Sequence, residues 1–393
     1  VFQEVQVHKS VDARWWRVLI VSLLSFQLSW GLRVPRVVHA DENWTLNAIQ
    51  GSFAQIVATI LGSDNHPPLY YLLIRFWSSI AGESINSIRL LSYVFGLLTL
   101  FLFALFYSRS RPFTFLAPLL LLASNPLLTY FSATIRPYAL MVFLASAAIL
   151  SSMALRSESS EHIDLLSTRL VPQEKFPLQI LFFGSCLLLG LTHYYGLLYA
   201  MILLVWDFFD RRISYSRLPT TIIAVLLLVW PVLQILFGTV DKQIESNDWV
   251  KVVPIISTLN NLLMGVFPTA VISRQLPYLS SLGLLICLAS ILLSPKFNMQ
   301  SLRLGKIRSF MSHDAGYLLV GIFLVYIFSL IADLSVPFST PYYFLVCLPA
   351  AALLFAFWVR WMSQRLGFLP ASVFTATIVF TQILLAKQRL MAP

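Results

Sequence analysis

Apolar residues run in long, nearly uncharged blocks along this chain, without the alternation of a half-buried strand. The blocks at 16–32, 88–107, 113–131, 137–155, 178–191, 195–209, 218–237, 278–293, 317–331, 342–358 and 369–386 approach the ~20 residues that cross ~30 Å of hydrocarbon as a helix. Backbone polar groups have no water to bond in that medium, so helices are the fitting structure. The pattern predicts an all-α integral membrane protein with about eleven crossing helices, within a range of roughly ten to thirteen. One block differs: 67–80 is short and carries Arg75, Trp77, Tyr70 and Tyr71. That mixture predicts a helix lying in the interface.

Composition agrees with a membrane solvent. Of 393 residues, 58% are hydrophobic and 11% charged, and the mean hydropathy is +0.79. Aromatic residues gather at block ends, for example Trp15-Trp16, Trp30, Tyr107, Trp206 and Trp361. The net charge of +10 does not point to nucleic acid, because the bases are scattered in twos and threes. Cys186, Cys287 and Cys347 all fall in apolar blocks and read as buried thiols, with no disulfide framework or zinc cluster. No small-residue cleavage site follows the first block, which therefore reads as a retained anchor.

Charge sets the expected sidedness. If 67–80 does not cross, the loops expected in the cytoplasm hold 17 of the 27 basic residues. If it crosses, the most basic loops face outward, against the positive-inside rule. The first arrangement makes 33–87 one long extracytoplasmic loop carrying Asp41, Glu42, Asp64, His66, Arg75 and Glu83. Arg136, the junction at His193, a second large loop at 240–276 and the stretch from Asp333 to Pro341 share that side. One membrane domain over 1–393 is expected, with no soluble domain.

Four motifs then stand in order on one face. Asp41-Glu42 follows the first block; His66-Pro67-Pro68-Leu69-Tyr70-Tyr71 lies later in the same loop; Ile135-Arg136-Pro137-Tyr138-Ala139-Leu140 and Thr192-His193-Tyr194-Tyr195-Gly196 open later blocks. Arg89-Leu90-Leu91-Ser92 opens the second block. Over roughly residues 30 to 210 this resembles the GT-C glycosyltransferases that use lipid-phosphate sugars. The nearest kinds are bacterial proteins akin to the protein O-mannosyltransferases and the lipid A aminoarabinose transferase. One departure stands out. Where many relatives open a late block with Arg-Tyr, this chain has Pro341-Tyr342-Tyr343-Phe344-Leu345, then Leu348-Pro349.

The resemblance implies transfer of a sugar from a polyprenyl-phosphate donor to a hydroxyl of a lipid, glycan or protein acceptor. The reaction would invert the sugar at the outer face of a bacterial inner membrane. A hydroxyl is a weak nucleophile near neutral pH, so a carboxylate that takes its proton contributes ~10²–10⁴-fold. Asp41 is the choice for that base; its alternative is a helix cap. Glu42 is expected either to orient the acceptor or, with His193, to hold a divalent metal, the one cofactor the resemblance implies. Arg136 is expected on the donor phosphate, since guanidinium matches phosphate geometry. Arg75, Arg89, Lys242, Lys251 and Arg274 are reserves. Asp64, His66, Tyr70, Tyr71, Tyr138 and Tyr343 are expected around the substrate, with a turn role open for Asp64 and His66 and interfacial packing for the tyrosines. Two other readings stay open: a polytopic transporter or lipid flippase, and an inactive GT-C-like subunit of a membrane complex.

Overall fold

The computed structural model describes residues 12–31, 37–64, 66–107, 112–157, 175–209, 217–236, 255–266, 314–335 and 339–389. The expected block 278–293 and the reserves Lys242, Lys251 and Arg274 lie outside them. Among the described residues every regular element is a helix. In chain order these are α1 (Asp12–Gly31), α2 (Ala40–Ala48), α3 (Phe53–Ser63), α4 (Leu69–Ala81), α5 (Ile85–Tyr107), α6 (Pro112–Ser124), α7 (Pro126–Phe131), α8 (Tyr138–Ser157), α9 (Lys175–Gly190), α10 (Tyr194–Phe209), α11 (Arg217–Leu236), α12 (Ile255–Val266) and α13 (Asp314–Ser335). A 3₁₀ turn (Tyr343–Cys347) then leads into α14 (Leu348–Leu366), followed by α15 (Phe368–Arg389).

Five of these are long and apolar enough to cross a membrane: Ile85–Phe106, Tyr138–Arg156, Leu218–Leu236, Gly316–Leu334 and Tyr343–Arg360. Shorter apolar helices stand beside them, including Phe176–Gly190 and Tyr194–Phe209. Residues 40–81 hold α2, α3 and α4, and α4 has 13 residues. At ~1.5 Å per residue it falls well short of ~30 Å.

Two expected blocks are interrupted. The stretch 113–131 breaks at Asn125-Pro126. Pro126 offers no N–H to the turn before it, and Asn125 accepts from the Leu127 and Leu128 amides at 3.0 and 2.9 Å, capping α7. The late block opens as a 3₁₀ turn, and Leu348-Pro349 begins the α-helix proper, where a missing N–H costs nothing.

Helix α8 is the axis of the molecule. Ala139, Ala145, Ser146, Ala147, Ala148, Ser151, Ser152 and Ala154 are small, and all are buried. Small side chains let neighbouring backbones approach, the main route to packing where lipid is as apolar as the protein. Helices α5, α9, α10 and α14 accordingly pack around it. Serine hydroxyls along α8 bond their own helix: Ser146 Oγ donates to the Val142 carbonyl at 2.7 Å.

At the end of α8 remote from Tyr138 lies an ion pair with no solvent exposure. Arg156 Nη2 donates to Asp207 Oδ1 at 2.5 Å, and Tyr317 covers the guanidinium at 3.7 Å from its ring centre. Ser152 Oγ donates to the same carboxylate at 3.3 Å and accepts from the Tyr317 hydroxyl at 3.1 Å. This cluster joins α8, α10 and α13. Removing one partner of a buried pair costs about 3–5 kcal/mol, whereas an apolar replacement of both costs far less. Asp207→Asn is therefore expected to lower the thermal midpoint of the detergent-solubilised protein clearly, and Arg156→Met with Asp207→Leu to restore most of it. A double variant as unstable as the single one would show that the pair is not what ties these helices.

Candidate active site

Glu42 sits at the third position of α2 and is buried. Its carboxylate accepts from Arg89 Nε at 2.9 Å and Arg89 Nη2 at 2.7 Å, from the Ile135 amide at 2.9 Å and from the His39 amide at 3.1 Å. Arg89 Nη2 also donates to the Val37 carbonyl at 3.1 Å. One side chain thus holds the start of α2, the start of α5 and the turn before α8. Burial by itself raises the Glu42 pKa. The Arg89 guanidinium and the Ile135 and His39 amides outweigh it and hold the group below its ordinary value.

The clamp's chain neighbours meet as a result. Asp41 precedes Glu42, Arg136 follows Ile135, and Arg136 Nη2 lies 3.9 Å from Asp41 Oδ2. The Asp41 side chain is 70% exposed and that of Arg136 12% exposed, so an open carboxylate stands over a mostly covered cation. Arg136 Nε is buried without a hydrogen-bond partner. Pro137 biases Arg136 away from helical backbone, so α8 begins only after it.

The second half of the loop folds onto the same place. His66 Nδ1 donates to Asp64 Oδ1 at 2.9 Å, and the Tyr71 hydroxyl donates to Asp64 Oδ2. The Leu69 amide donates to the Leu191 carbonyl at 3.1 Å, pinning Pro67-Pro68 to the turn that carries His193. Gln234 Nε2, from α11, donates to the Asp64 carbonyl at 2.6 Å. Burial raises the Asp64 pKa, but His66, Tyr71 and the nearby Arg136 more than offset it and hold it below the usual value. The His66 and His193 rings lie 4.9 Å apart, near edge-to-face.

Gly196 explains the close turn at His193. A Cβ there would stand 2.4 Å from the Leu189 carbonyl oxygen, so only glycine lets α10 leave α9 so tightly. His193 Nδ1 accepts from the Tyr195 amide at 3.1 Å, while Nε2 is buried without a partner. Burial, with His66 and Arg136 close by, holds the His193 pKa well below the usual imidazole range. Tyr138, Tyr195 and Tyr343 surround that ring, with centroids 5.5, 6.0 and 4.9 Å away. Tyr342 and Tyr343, in the stretch 341–345 where a Tyr or Pro stands in place of the expected arginine, therefore supply rings.

Asp41, Asp64, His66, Tyr71, Arg136, Tyr138, His193 and Tyr343 are thus brought together. Three expected site residues are not. Arg75 faces Glu83 at 3.6 Å on the exposed side of α4; Tyr70 is fully buried with its hydroxyl 3.0 Å from Ser92 Oγ; and Arg89, a reserve for phosphate, is engaged by Glu42. The Glu42–His193 metal pair does not fit either. Glu42 has its oxygens filled by Arg89 and two amides, which leaves none to share with the open Nε2 of His193. Among the described residues no group of three or more His, Cys, Asp or Glu is placed to hold a metal ion. The clamp itself was missed in the sequence, although a buried-looking Arg opening an apolar block signals the need for a carboxylate partner.

No protein-family model and no curated protein matches the chain. Among solved structures it is similar to ArnT from Cupriavidus metallidurans in the apo state, with 14% identity and a TM-score of 0.49 over 89% of this chain and 61% of that one. It is also similar to the apo Archaeoglobus fulgidus oligosaccharyltransferase, with 12% identity and a TM-score of 0.48 over 94% of this chain and 55% of that one. A third is AglB from the same organism in complex with an inhibitory peptide and a dolichol-phosphate, with 13% identity and a TM-score of 0.47. The chain thus spans less than two thirds of the length of each.

The clamp has a pH signature. Because the folded pKa of Glu42 lies below its ordinary value of 4.5, the unfolded chain binds more protons between the two values. Its stabilisation is complete above about pH 4.5 and is lost as pH falls through the folded pKa. Glu42→Gln is expected to cost about 1.5–3 kcal/mol at neutral pH, the scale of a hydrogen bond to a charged group, and to flatten part of the acid limb of stability. Thermal unfolding in detergent from neutral to acidic pH measures both. An unchanged acid limb in the variant would remove Glu42 as its source.

Proposed function

We propose that this chain is a membrane glycosyltransferase that moves a sugar from a polyprenyl-phosphate donor to an acceptor hydroxyl at the extracytoplasmic face. The observation that carries this reading is the Asp41–Arg136 juxtaposition: an exposed carboxylate 3.9 Å from a mostly buried guanidinium with an unsatisfied N–H. Such a site offers a proton acceptor and an anion holder to the same ligand. The family resemblance of the four motifs supports the choice of donor, and the apolar helices provide the medium in which its polyprenyl tail is soluble.

In this mechanism Arg136 binds the donor phosphate and compensates the negative charge that grows as the bond from phosphate oxygen to the sugar anomeric carbon breaks. The acceptor hydroxyl attacks that carbon from the opposite side, and Asp41 takes its proton. One displacement with one base inverts the centre, so no second carboxylate is needed as nucleophile. Glu42 contributes by position: it sets where Asp41 and Arg136 stand. His66, held by Asp64, which Tyr71 anchors in turn, forms the wall facing His193.

Asp41→Asn is expected to lower turnover by ~10²–10⁴-fold with donor affinity nearly unchanged. Arg136→Gln should instead weaken donor binding. Purified protein with polyprenyl-phosphate sugars and an acceptor measures both, and undiminished turnover in Asp41→Asn would remove that residue as the base. Asn47 is exposed on α2. A cysteine placed there is expected to react with an impermeant thiol reagent on intact cells. Reaction only after permeabilisation would reverse the sidedness.

A further inference from the structure

Arg136 accounts for a phosphate, but two buried hydrogen-bonding groups beside it remain unexplained. His193 Nε2 lacks a partner, and Tyr138 Oη has none beyond the adjoining Arg136 guanidinium, with Tyr138 1% and His193 4% exposed. Their rings are 5.5 Å apart, and Arg136 Cζ lies 5.8 Å from the Tyr138 ring centre. The state of His193 is settled by its other nitrogen. Nδ1 accepts from the Tyr195 amide, so the proton of the neutral ring sits on Nε2 and makes it a donor. Buried polar groups are nearly always satisfied, and a cluster that is not calls for a ligand or water.

We propose that Tyr138 Oη and His193 Nε2 form a subsite for the neutral, hydroxyl-bearing sugar ring of the donor, next to the phosphate position at Arg136. This inference rests on the glycosyltransferase reading and deepens it. The surroundings match that chemistry. Tyr342 and Tyr343 have ring centroids 5.1 and 6.4 Å from that of Tyr138, and Tyr343 lies 5.1 Å from Tyr195. Aromatic faces take the C–H surface of a sugar, while a few placed donors take its hydroxyl oxygens. The phosphate and the sugar of such a donor are joined directly, as Arg136 and Tyr138 are adjacent in space. A protonated amino sugar would need a carboxylate of its own: Asp64 gives its oxygens to His66 and Tyr71, and Asp41 stands on the exposed side, where the acceptor proton is taken. The position where the resembling family carries a late arginine thus serves here as an aromatic wall.

The test is equilibrium binding by the full chain in lipid nanodiscs, with undecaprenyl phosphate compared with undecaprenyl phosphate bearing mannose, glucose, galactose or 4-amino-4-deoxyarabinose. At least one neutral sugar is expected to bind more tightly than the bare lipid phosphate. Tyr138→Phe, which keeps the ring and removes the hydroxyl, should weaken that probe by about 5–10-fold and leave the bare one unchanged. His193→Gln should act in the same direction, and Tyr138→Phe keeps the test decisive if the glutamine variant does not fold. Three results overturn the proposal: no neutral sugar improving on undecaprenyl phosphate, an equal effect of Tyr138→Phe on both probes, or preference for the amino sugar. Any of them, with the bare lipid phosphate still binding through Arg136, leaves the glycosyltransferase reading standing. Failure of undecaprenyl phosphate itself to bind counts against that reading instead.

Discussion

The geometry of the site depends on one buried carboxylate. Glu42 receives two hydrogen bonds from Arg89, one from the Ile135 amide and one from the His39 amide, and so ties three chain segments. A charge buried in a membrane protein is costly unless paired and bonded. That cost makes the clamp selective, because few other arrangements of α2, α5 and the 132–137 turn satisfy both partners. Asp41 and Arg136 inherit their places from it, each one residue from a clamped atom. The acidic pair therefore divides its labour: one carboxylate is spent on structure, and the one before it in sequence is left open.

The surrounding architecture serves the same end. The α8 helix is lined with small residues and packs on several sides, which fixes Tyr138 and the Arg136 turn at one end and the Arg156–Asp207 pair at the other. The helices over residues 40–81 are then held down on this bundle by specific polar bonds, Leu69 to Leu191, Gln234 to Asp64 and Tyr70 to Ser92. Short amphipathic helices bury too little apolar surface to be fixed by hydrophobic contact alone. Directional hydrogen bonds supply the register that places His66 against His193.

The result is a polar cluster whose members differ in exposure. Asp41 is open, Arg136 nearly covered, and His193 and Tyr138 buried. Such a gradient suits a ligand with an accessible reacting end and a sheltered anionic and hydroxylated portion. An exposed carboxylate, Asp41, stands beside the cation, while the buried Asp64 orients His66.

Hydrophobic blocks, the short 67–80 helix and the order of the polar motifs were legible in the chain itself. Each depends on local composition and length, and the hydrocarbon imposes those directly. The candidates Asp41, Arg136, His66 and His193 were legible too, because polar residues in so apolar a chain are few. What tertiary structure decided was pairing. Nothing local distinguishes Glu42 from Asp41, or Arg89 from Arg136; their roles follow from contacts across 47 residues in one case and between Arg136 and Asp41 in the other. The break at Asn125-Pro126 went unread inside the expected block 113–131, and the bond from the Ile135 amide to Glu42 appears only once the helices are packed. Long-range hydrogen bonds between buried groups carry no local signature, so the division between clamp and open site belongs to the fold.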